Sequence, residues 1–399
     1  MKHVVVVGSS VAGIRAVETL RRRGYDGRLT LVGAEAELPY NRPPLSKELL
    51  TGELDEGDVR LTSEEQLAAL GVELQLGAPA TSLDLAARTV RAGKRAIRYD
   101  GLIIATGSRP VRPAGWPSLP GLQTLRTLGD ALALRQAMTA GGPRVVVIGA
   151  GFIGCEIASA ARHHGCDTTV VEAEVAPLRR ALSPALAEPV VRRHRDHGVR
   201  LRLGVAVTRV FGSTRVEGVE LTDGSVLDAD LVVVGVGAVP VTDWLEDSGL
   251  ALADGVSTDA TLRTAAPGVY AAGDVARWPG TGAHGSVRVE HWTNAREQGA
   301  RAAANLLDPG SAQPYTSVPY VWSDQHGRRL QIAGSATTGE PRFLAGGPDQ
   351  GSYLAVLIEG GLVVAAVGFD RTQEFARVRR LVGTGAPWSQ VVAQLSSVA

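Results

Sequence analysis

The sequence predicts an α/β protein in which one strand–turn–helix–strand unit is present twice. The first observation is a repeat, because Val5-Val6-Val7-Gly8 recurs as Val146-Val147-Ile148-Gly149 at an offset of 141 positions. The second is that both runs are continuously apolar, which is typical of parallel strands buried on both faces. The third is that a helical pattern follows each glycine turn. These observations favour two parallel-sheet domains in one chain.

The helices of the two copies are predicted at residues 14–23 and 152–164. Each ends before a glycine that suits a helix C-cap, Gly24 in the first copy and Gly165 in the second. The second strands follow at residues 29–32 and 168–171. Apolar runs that precede glycine-containing turns predict the remaining strands, at residues 102–105, 231–234 and 269–272.

The composition changes after Leu307, where a third and smaller part of the chain begins. The segment Asp308-Pro309-Gly310-Ser311 is typical of a linker. Strands at residues 330–333 and 354–358 and a helix at 388–395 predict a small C-terminal α+β domain. We therefore expect an interrupted first domain at 1–110 and 243–315, an inserted second domain at 111–242, and a C-terminal domain at 316–399.

The composition excludes several classes of protein. The 399 residues include 41 basic and 41 acidic side chains, so the global charge does not favour a nucleic-acid or membrane partner. Two cysteines cannot build a secreted disulfide scaffold. No apolar run approaches the ~20 residues of a membrane span, and the short run near Met1 fits a first strand rather than a signal peptide. We expect a cytoplasmic protein.

The turn of the second copy carries a complete fingerprint for binding a dinucleotide, Gly149-x-Gly151-x-x-Gly154. The first glycine allows the tight turn, the second admits the pyrophosphate, and the third lets the helix pack on the strand. Glu172 ends the next strand, where a carboxylate binds a ribose 2′-hydroxyl and repels a 2′-phosphate. This copy is therefore predicted to bind NADH in preference to NADPH.

The turn of the first copy is an incomplete version of the same fingerprint, Gly8-x-Ser10-x-x-Gly13. Serine is small enough to admit a phosphate, and the acidic partner is Glu35, with Glu37 as the alternative. Two Rossmann-like dinucleotide-binding domains imply two dinucleotides. NADH with FAD is the pair that makes chemical sense, because NADH delivers a hydride and a flavin can release single electrons.

Motifs along nearly the whole chain resemble those of ferredoxin reductases of the putidaredoxin-reductase type, within the glutathione-reductase-like flavoproteins. The motifs are Pro39-Tyr40-Asn41-Arg42-Pro43-Pro44-Leu45-Ser46-Lys47, Ala105-Thr106-Gly107, Leu125-Arg126-Thr127, Tyr270-Ala271-Ala272-Gly273-Asp274, Glu290-His291-Trp292 and Trp322-Ser323-Asp324-Gln325.

The resemblance implies a role for individual residues. Ala12 and Glu35 would contact the adenosine half of FAD, although many relatives carry an acid at the position of Ala34. Lys47 would lie near flavin N5 and pair with Glu156, with Trp292 beside the isoalloxazine. The other implied cofactor-binding residues are Arg42, Ala80, Thr106, Gly107, Arg126, Gly273, Asp274 and Glu290 for FAD, and Gly235 and Gly237 for the nicotinamide dinucleotide.

Related flavoenzymes of the glutathione-reductase type usually need a redox cysteine pair after the first copy, and NADH peroxidase and coenzyme A disulfide reductase relatives need a single cysteine near residues 39–44. This chain has no cysteine at either place. The electron acceptor is therefore expected to be external. The resemblance implies an iron–sulfur ferredoxin that supplies a monooxygenase or dioxygenase. Such acidic carriers dock on basic surfaces, and the candidate arginines are Arg277, Arg296, Arg301, Arg328 and Arg329. A monomer or a weak dimer is expected.

Other readings of the sequence stay open. The enzyme alternatives are an NADH oxidase or a nitrite-reductase-type flavoprotein, and a non-enzyme alternative is a redox-responsive binding flavoprotein. Trp322 fits either a core position or an aromatic near the electron exit. Arg21-Arg22-Arg23 is expected to be a solvated helix end. Metal binding is not expected from His163, His164, His194 and His197, which are expected on helix surfaces.

Overall fold

The structure is a computed structural model that describes residues 1–280 and 285–396. The chain divides into two compact units, each assembled from separate stretches of sequence. Unit 1 comprises Met1–Asn41, Gly57–Arg109 and Ala238–Ser317, and unit 2 comprises Arg42–Glu56, Pro110–Gly237 and Val318–Ala399. The short segment Arg42–Glu56 therefore belongs with unit 2 although its neighbours along the chain belong to unit 1. The three-domain division at residues 1–110 with 243–315, 111–242 and 316–399 stays a proposal.

Unit 1 is built on a parallel sheet whose central strand is His3–Val7. The strands lie side by side in the order Val269–Ala271, Gly101–Ile104, His3–Val7, Arg28–Val32 and Val72–Gln75. One smaller sheet consists of the strands Ala80–Asp84, Thr89–Ala92 and Arg95–Arg98. Another consists of Leu252–Ala253, Gly255–Ser257, Ala276–Pro279 and Ser286–Val287. A two-stranded sheet pairs Ser108–Pro110 with Ala238–Pro240. The helices are Val11–Arg22, Glu64–Ala69 and Trp292–Leu307, with 3₁₀ turns at Asp243–Ser248 and Pro309–Ser311.

Unit 2 contains a second parallel sheet whose central strand is Arg144–Ile148. Its strands lie in the order Arg200–Leu203, Asp167–Glu172, Arg144–Ile148, Leu231–Val234 and Leu122–Gln123. An antiparallel sheet pairs Val207–Phe211, Gly218–Leu221 and Val226–Asp228. The helices of this part are Glu48–Thr51, Leu128–Thr139, Phe152–His163 and Pro184–Asp196, with a 3₁₀ turn at Pro43–Ser46.

The C-terminal part of unit 2 is an antiparallel sheet covered by short helices. Its strands lie in the order Tyr320–Gln325, Arg328–Gly334, Leu362–Phe369, Ser352–Glu359 and Glu340–Gly347. The helices are Thr372–Val378 and Trp388–Ser396, with 3₁₀ turns at Pro348–Gln350 and Arg379–Leu381. A buried cluster that includes Val356, Ala366 and Phe375 joins sheet and helices. This arrangement is of the α+β type.

The two parallel sheets reproduce the repeat that is visible in the sequence. The strand His3–Val7 and the helix Val11–Arg22 of unit 1 correspond residue for residue, at the offset of 141, to Arg144–Ile148 and Phe152–His163 of unit 2. Val4, Val5 and Val6 are completely buried, as continuous apolar runs in doubly covered strands should be. The same local sequence therefore produces the same strand–turn–helix geometry in both units.

Two expectations about polar residues were wrong. Arg21 is not part of a solvated helix end, because its guanidinium donates to the carbonyl oxygens of Tyr25 at 2.6 Å, Gly27 at 2.9 Å and Leu70 at 2.6 Å. His194 is not on a helix surface, since it is only 1% exposed. Partners distant in sequence, the Leu70 carbonyl for Arg21 and the Gln325 side chain for His194, help to replace water, and a local charge pattern does not reveal them.

Candidate functional site

The fingerprint loop of unit 1 requires glycine at two positions because backbone atoms approach them closely. Gly8 has φ +118°, and a Cβ there would lie 2.0 Å from the carbonyl oxygen of Ala105. A Cβ at Gly13 would lie 1.8 Å from the carbonyl oxygen of Gly8. Ser10 caps the N-terminus of the helix Val11–Arg22 without using its side chain for the cap. The Ser10 hydroxyl therefore stays available for a ligand at this helix terminus.

The fingerprint loop of unit 2 has the same contacts. A Cβ at Gly149, where φ is +100°, would lie 2.4 Å from the carbonyl oxygen of Gly235, and one at Gly154 would lie 2.0 Å from that of Gly149. A Cβ at Gly151, in contrast, would meet no protein atom within 4 Å. The packing of the protein itself therefore demands glycine at the first and third positions but leaves open space at the second.

Glu172 contributes to the shape of the second loop. Its Oε2 accepts a hydrogen bond of 2.6 Å from the backbone N–H of Ala150, and its Oε1 accepts one of 2.9 Å from that of Glu174. Each carboxylate oxygen has a second lone pair for a ribose hydroxyl. The sequence predicts only the ribose contact. The hydrogen bond to Ala150 gives Glu172 an additional structural role.

The acidic residue of the first loop is also engaged by the protein. The Tyr40 hydroxyl donates a hydrogen bond to Oε2 of Glu35, and Tyr40 is only 5% exposed. Ala80 begins the strand Ala80–Asp84 and packs against the core of unit 1. Ala12 is buried and lies close to two glycines. A Cβ at Gly299 would lie 2.1 Å from the Ala12 carbonyl oxygen, and one at Gly273 would lie 3.1 Å from the Ala12 Cβ. The contact with Ala12 therefore requires glycine at position 299 and favours it at position 273.

Asp274 is fixed by neighbours that the sequence does not predict. Ser108 Oγ donates to its carboxylate at 3.0 Å, and Nη1 of Arg288 donates to its backbone carbonyl at 3.1 Å. Arg288 is itself held by Asp254 at 3.1 Å and by an ion pair with Glu290. Glu290, expected to touch FAD, therefore neutralises the arginine that orients Asp274.

Thr106 and Gly107 form the turn that follows the strand Gly101–Ile104. The Thr106 hydroxyl donates to the carbonyl oxygen of Val241 at 2.8 Å, and the Gly107 carbonyl accepts from the Val241 N–H at 3.0 Å. Gly107 has φ +71°, which glycine adopts without strain. These contacts fix the start of the segment that carries Ser108.

Trp292 is the first residue of the helix Trp292–Leu307. Its indole N–H donates to Oδ1 of Asn41 at 3.1 Å, and the Arg296 guanidinium lies 5.8 Å from the centre of its ring. Burial lowers the pKa of the preceding His291 to about 4, with Asp274 opposing this shift. His291 is therefore neutral at pH 7. The helix N-terminus, which is the positive end of the helix dipole, carries no imidazolium that this dipole would repel.

A buried ion pair in unit 2 joins the two residues predicted to act at the flavin. Lys47 Nζ lies 3.1 Å from Oε2 of Glu156, and the side chains are 8% and 1% exposed. The ammonium also donates to the Pro43 carbonyl at 3.1 Å. The helix Phe152–His163 and the 3₁₀ turn Pro43–Ser46 supply this geometry.

Two serines complete the surroundings of Glu156. The Ser46 hydroxyl donates to Oε2, and the Ser323 hydroxyl donates to Oε1 at 2.6 Å. Burial raises the pKa of Glu156, whereas Lys47 and the two serines lower it. Neither serine is predicted from the sequence as a site residue, although Ser46 lies in the motif 39–47 and Ser323 in the motif 322–325.

The remaining predicted residues of unit 2 form two groups, a pair of arginines and a pair of glycines. Arg42 Nη1 donates to the Arg126 carbonyl at 2.6 Å, so these arginines are adjacent. Gly235 follows the strand Leu231–Val234, and Gly237 has φ +129° with Nη1 of Arg180 3.7 Å from an added Cβ. The carbonyl oxygen of Gly235 lies next to Gly149, just as the carbonyl oxygen of Ala105 lies next to Gly8 in unit 1.

Both cysteines are poorly placed for thiol chemistry. Cys155 and Cys166 are free and buried, and burial raises the pKa of both thiols. A thiolate is the reactive form, so both side chains serve as small hydrophobic residues. Among residues 1–280 and 285–396, no group of histidine, cysteine or carboxylate side chains is arranged to hold a metal ion. No helix in the same ranges is both long and apolar enough to cross a membrane.

The residues present fit two dinucleotides. Each fingerprint loop presents a helix N-terminus, and open space at Gly151 is what a pyrophosphate needs. In unit 1, Nδ1 of His291 and Nε2 of Gln298 are buried without a hydrogen-bond partner among the described residues. Gln298 Oε1 accepts from the Gly273 N–H at 2.8 Å, next to Asp274. Polar atoms of this kind are expected where a ligand or water completes a site.

Comparison with known proteins gives consistent matches over almost the whole chain. Residues 2–299 match the family described as pyridine nucleotide-disulphide oxidoreductase, and residues 320–396 match the reductase C-terminal family. Rhodocoxin reductase of Rhodococcus erythropolis is 37% identical over 387 residues, which cover 96% of this chain and 90% of that protein. The ferredoxin–NAD(+) reductase component of the anthranilate 1,2-dioxygenase system of Burkholderia cepacia is 36% identical, covering 96% and 94%.

Solved structures agree in fold. The crystal structure of the covalent putidaredoxin reductase–putidaredoxin complex superposes with a TM-score of 0.92 at 30% identity, covering 100% of this chain and 99% of that chain. The ferredoxin reductase for the CYP199A2 system of Rhodopseudomonas palustris gives a TM-score of 0.91 at 33% identity, covering 100% of both chains.

Proposed function

Because the chain belongs to the pyridine nucleotide-disulphide oxidoreductase family, we propose that it is an FAD-dependent NADH:ferredoxin oxidoreductase. The observation that carries this choice within the family is the state of the cysteines, which are free, buried and of raised pKa. Electrons taken from NADH therefore have no thiol pair to reduce in this chain and must leave to an external carrier. The ferredoxin reductases that it resembles use such a carrier, as their names state.

The expected fold class and the resemblance to ferredoxin reductases are confirmed by the family and structural matches. FAD and NADH as cofactors are confirmed in the same way. FAD, when bound, accepts a hydride from NADH and releases electrons one at a time. In unit 1, Gly8, Ser10 and Gly13 with Asp274 are proposed to hold it. In unit 2, Gly149, Gly151 and Gly154 are proposed to hold NADH.

The chain's own residues are proposed to orient groups and to supply charge. Ser108 and Arg288 fix Asp274 from two sides, so its carboxylate and backbone keep one orientation toward a ligand. Glu156 fixes the Lys47 ammonium, which is proposed to lie near flavin N5 and to stabilise negative charge on the reduced ring. The hydroxyls of Ser46 and Ser323 hold the Glu156 carboxylate in the orientation in which it faces Lys47.

We predict that kcat/KM is higher with NADH than with NADPH, because the Glu172 carboxylate repels a 2′-phosphate. Replacing Glu172 by Gln keeps an oxygen that can accept from Ala150 but removes the charge. The ratio of the two kcat/KM values is expected to fall by about tenfold, since about 1.4 kcal/mol of repulsion is lost.

The matched control is Glu174→Gln, which removes the same charge from an exposed neighbouring side chain. Steady-state kinetics of wild type and both variants with both donors give the answer. A wild-type preference for NADPH, or an equal response of the two variants, would contradict the role given to Glu172.

The ferredoxin assignment is tested by NADH-driven cytochrome c reduction, with and without each of a panel of ferredoxins. At least one ferredoxin is expected to accelerate the reaction by about tenfold or more, while oxidised glutathione and hydrogen peroxide are turned over slowly. Rapid turnover of glutathione, peroxide or dioxygen without stimulation by any ferredoxin would show that the proposed function is wrong.

The basic docking surface stays a prediction, and the ion pairs in the structure reduce the number of candidate arginines. Arg277, Arg328 and Arg329 each form an ion pair, with Asp254, Asp370 and Asp324 respectively. Their charges are thus largely neutralised locally. Arg296 and Arg301 lie on the helix Trp292–Leu307 and are the better candidates for steering an acidic carrier.

We predict that the ferredoxin-dependent rate falls as ionic strength rises, because the screening length is only ~10 Å at 0.1 M salt. Arg296→Glu and Arg301→Glu are each expected to lower kcat/KM for ferredoxin by about tenfold at low salt. Arg91→Glu, on an exposed strand position of the same unit, is the control. Ferricyanide reduction, which needs no protein docking, should change little. A rate that is independent of salt and unchanged in both Arg296→Glu and Arg301→Glu would contradict this surface.

A further inference from the structure

A chain of hydrogen bonds leads from Glu156 to a pair of histidines inside unit 2. Ser323 Oγ lies 2.6 Å from Glu156 Oε1, and Gln325 Nε2 lies 2.9 Å from Ser323 Oγ. His194 Nε2 lies 3.1 Å from Gln325 Oε1, and its Nδ1 lies 3.0 Å from Nε2 of His326. Ser323, Gln325 and His194 are at most 3% exposed, so water does not compete for these bonds.

The amide of Gln325 fixes the direction of every bond in this chain. Its Nε2 only donates, so the Ser323 hydroxyl accepts from it and has its own hydrogen left for Glu156. Its Oε1 only accepts, so His194 carries hydrogen on Nε2 and accepts on Nδ1 from His326. All the donors therefore point toward the Glu156 carboxylate, and each bond polarises the next.

The histidines at the far end are neutral. Burial lowers the pKa of His194 to about 4 and that of His326 to about 3. The charged and titratable groups facing His326 are His194, His197, Arg193 and Arg162, and all of them oppose a second positive charge. The His197 ring stacks on His326 at 4.3 Å. Each imidazole of the chain is thus held with one donor and one acceptor nitrogen.

The same amide decides between two possible roles. A relay of protons to or from Glu156 would have to pass through Gln325, and an amide at neutral pH exchanges no proton without changing tautomer. A fixed chain of donors instead stabilises negative charge at its acceptor end. The chain is therefore suited to transmit polarisation rather than protons.

We infer that this chain keeps the Glu156 carboxylate ionised, so that Glu156 holds the Lys47 ammonium in place. His194 and Gln325 are then positioning residues, since neither contacts Lys47. The two effects on Glu156 are opposed, because burial favours its neutral form whereas the donors and Lys47 favour the carboxylate. The consequence for electron transfer, though not for Glu156 itself, rests on the proposed function.

The test follows the protonation of Glu156 in the purified protein by infrared spectroscopy. A protonated carboxyl has its own carbonyl band, which is assigned to Glu156 by isotopic labelling of glutamate and by its loss in Glu156→Gln. In His194→Phe and in Gln325→Met, the pH at which this band disappears is expected to rise by about one unit relative to wild type. Ser323→Ala, which removes the direct donor, should give at least as large a rise.

The matched control is His163→Gln, since His163 is an exposed histidine on the neighbouring helix Phe152–His163. Gln325→Met keeps the length of the side chain and serves if His194→Phe does not fold. An unchanged titration of Glu156 in both His194→Phe and Gln325→Met would overturn the inference, even if Ser323→Ala shifts it.

The infrared readout separates this inference from the proposed function. A shifted titration in a protein that reduces no ferredoxin would leave the chain intact and remove the proposed function. If wild type reduces ferredoxin but the titration of Glu156 is unchanged in His194→Phe and Gln325→Met, the proposed function stands and the inference about the hydrogen-bond chain is wrong. In the double variant Glu156→Gln/His194→Phe, the rate of flavin reduction should equal that of Glu156→Gln alone, because the chain acts only through this carboxylate.

Discussion

Replacing Gly151 with valine is expected to lower kcat/KM for NADH by about 100-fold or more and to lower the free energy of unfolding by only about 1 kcal/mol, the cost of a poorer helix N-cap. The reason is that a Cβ at this position meets no protein atom within 4 Å, so the new side chain fills the space proposed for the pyrophosphate. Residue 151 has extended backbone angles, which a β-branched side chain adopts without strain.

Two further substitutions make this prediction sharp. Gly151→Ser imitates Ser10, the residue at the same place in the first loop, and should reduce kcat/KM much less than valine does. Gly154→Ala places a Cβ 2.0 Å from the Gly149 carbonyl oxygen and should cost about 1–3 kcal/mol of stability or more. Steady-state kinetics and urea unfolding of the three variants decide the matter. Wild-type kinetics in Gly151→Val would show that the second loop does not bind NADH.

Replacing Lys47 with methionine is expected to cost about 3–5 kcal/mol of stability near pH 8, because Glu156 is left as a buried carboxylate without its counter-charge. Burial already raises the pKa of Glu156, and losing the ammonium raises it further. A group whose pKa is raised by folding stabilises the native state at low pH, and that contribution is lost as pH rises through the folded-state pKa. The penalty in Lys47→Met should therefore be small near about pH 5 and grow toward about pH 8.

Urea unfolding of wild type and variant across this pH range measures the effect. The double variant Lys47→Met/Glu156→Leu removes both charges and should recover most of the lost stability. The control is Arg28→Met, which breaks the exposed Arg28–Glu73 ion pair and should cost less than about 1 kcal/mol at every pH. Additive effects in the double variant would contradict the pairing. Flavin reduction by NADH should also be slower in Lys47→Met, because the proposed stabilisation of the reduced ring is lost.

The fold could be predicted because its information is local and repeated. An apolar run such as Val4–Val7 can be read without knowing its partners, and the offset of 141 identified both parallel sheets from single strands. The glycines of the two loops were predictable for the same reason, since Gly8 and Gly13 meet backbone atoms a few residues away or at a strand end.

The site was only partly predictable, because its remaining contacts join residues far apart in the chain. Ser323 contacts Glu156, which is 167 positions away in the chain, and Ser108 contacts Asp274, which is 166 positions away. No periodicity in the sequence predicts such pairs. The charged neighbours of Arg21 and His194 predict surface positions, whereas burial and distant partners, the Leu70 carbonyl and the Gln325 amide, decide their roles. Glu172 was assigned one ligand contact and also has a backbone partner.

The central claim, that one chain passes electrons from NADH through FAD to a ferredoxin, is tested most directly by an anaerobic titration of the purified protein. We expect about one FAD per chain, loss of the visible flavin absorbance on adding about one NADH per FAD, and its recovery when a one-electron ferredoxin is added at about two per NADH. Flavin that NADH cannot reduce, or reduced flavin that oxidised glutathione reoxidises and no ferredoxin does, would contradict the account.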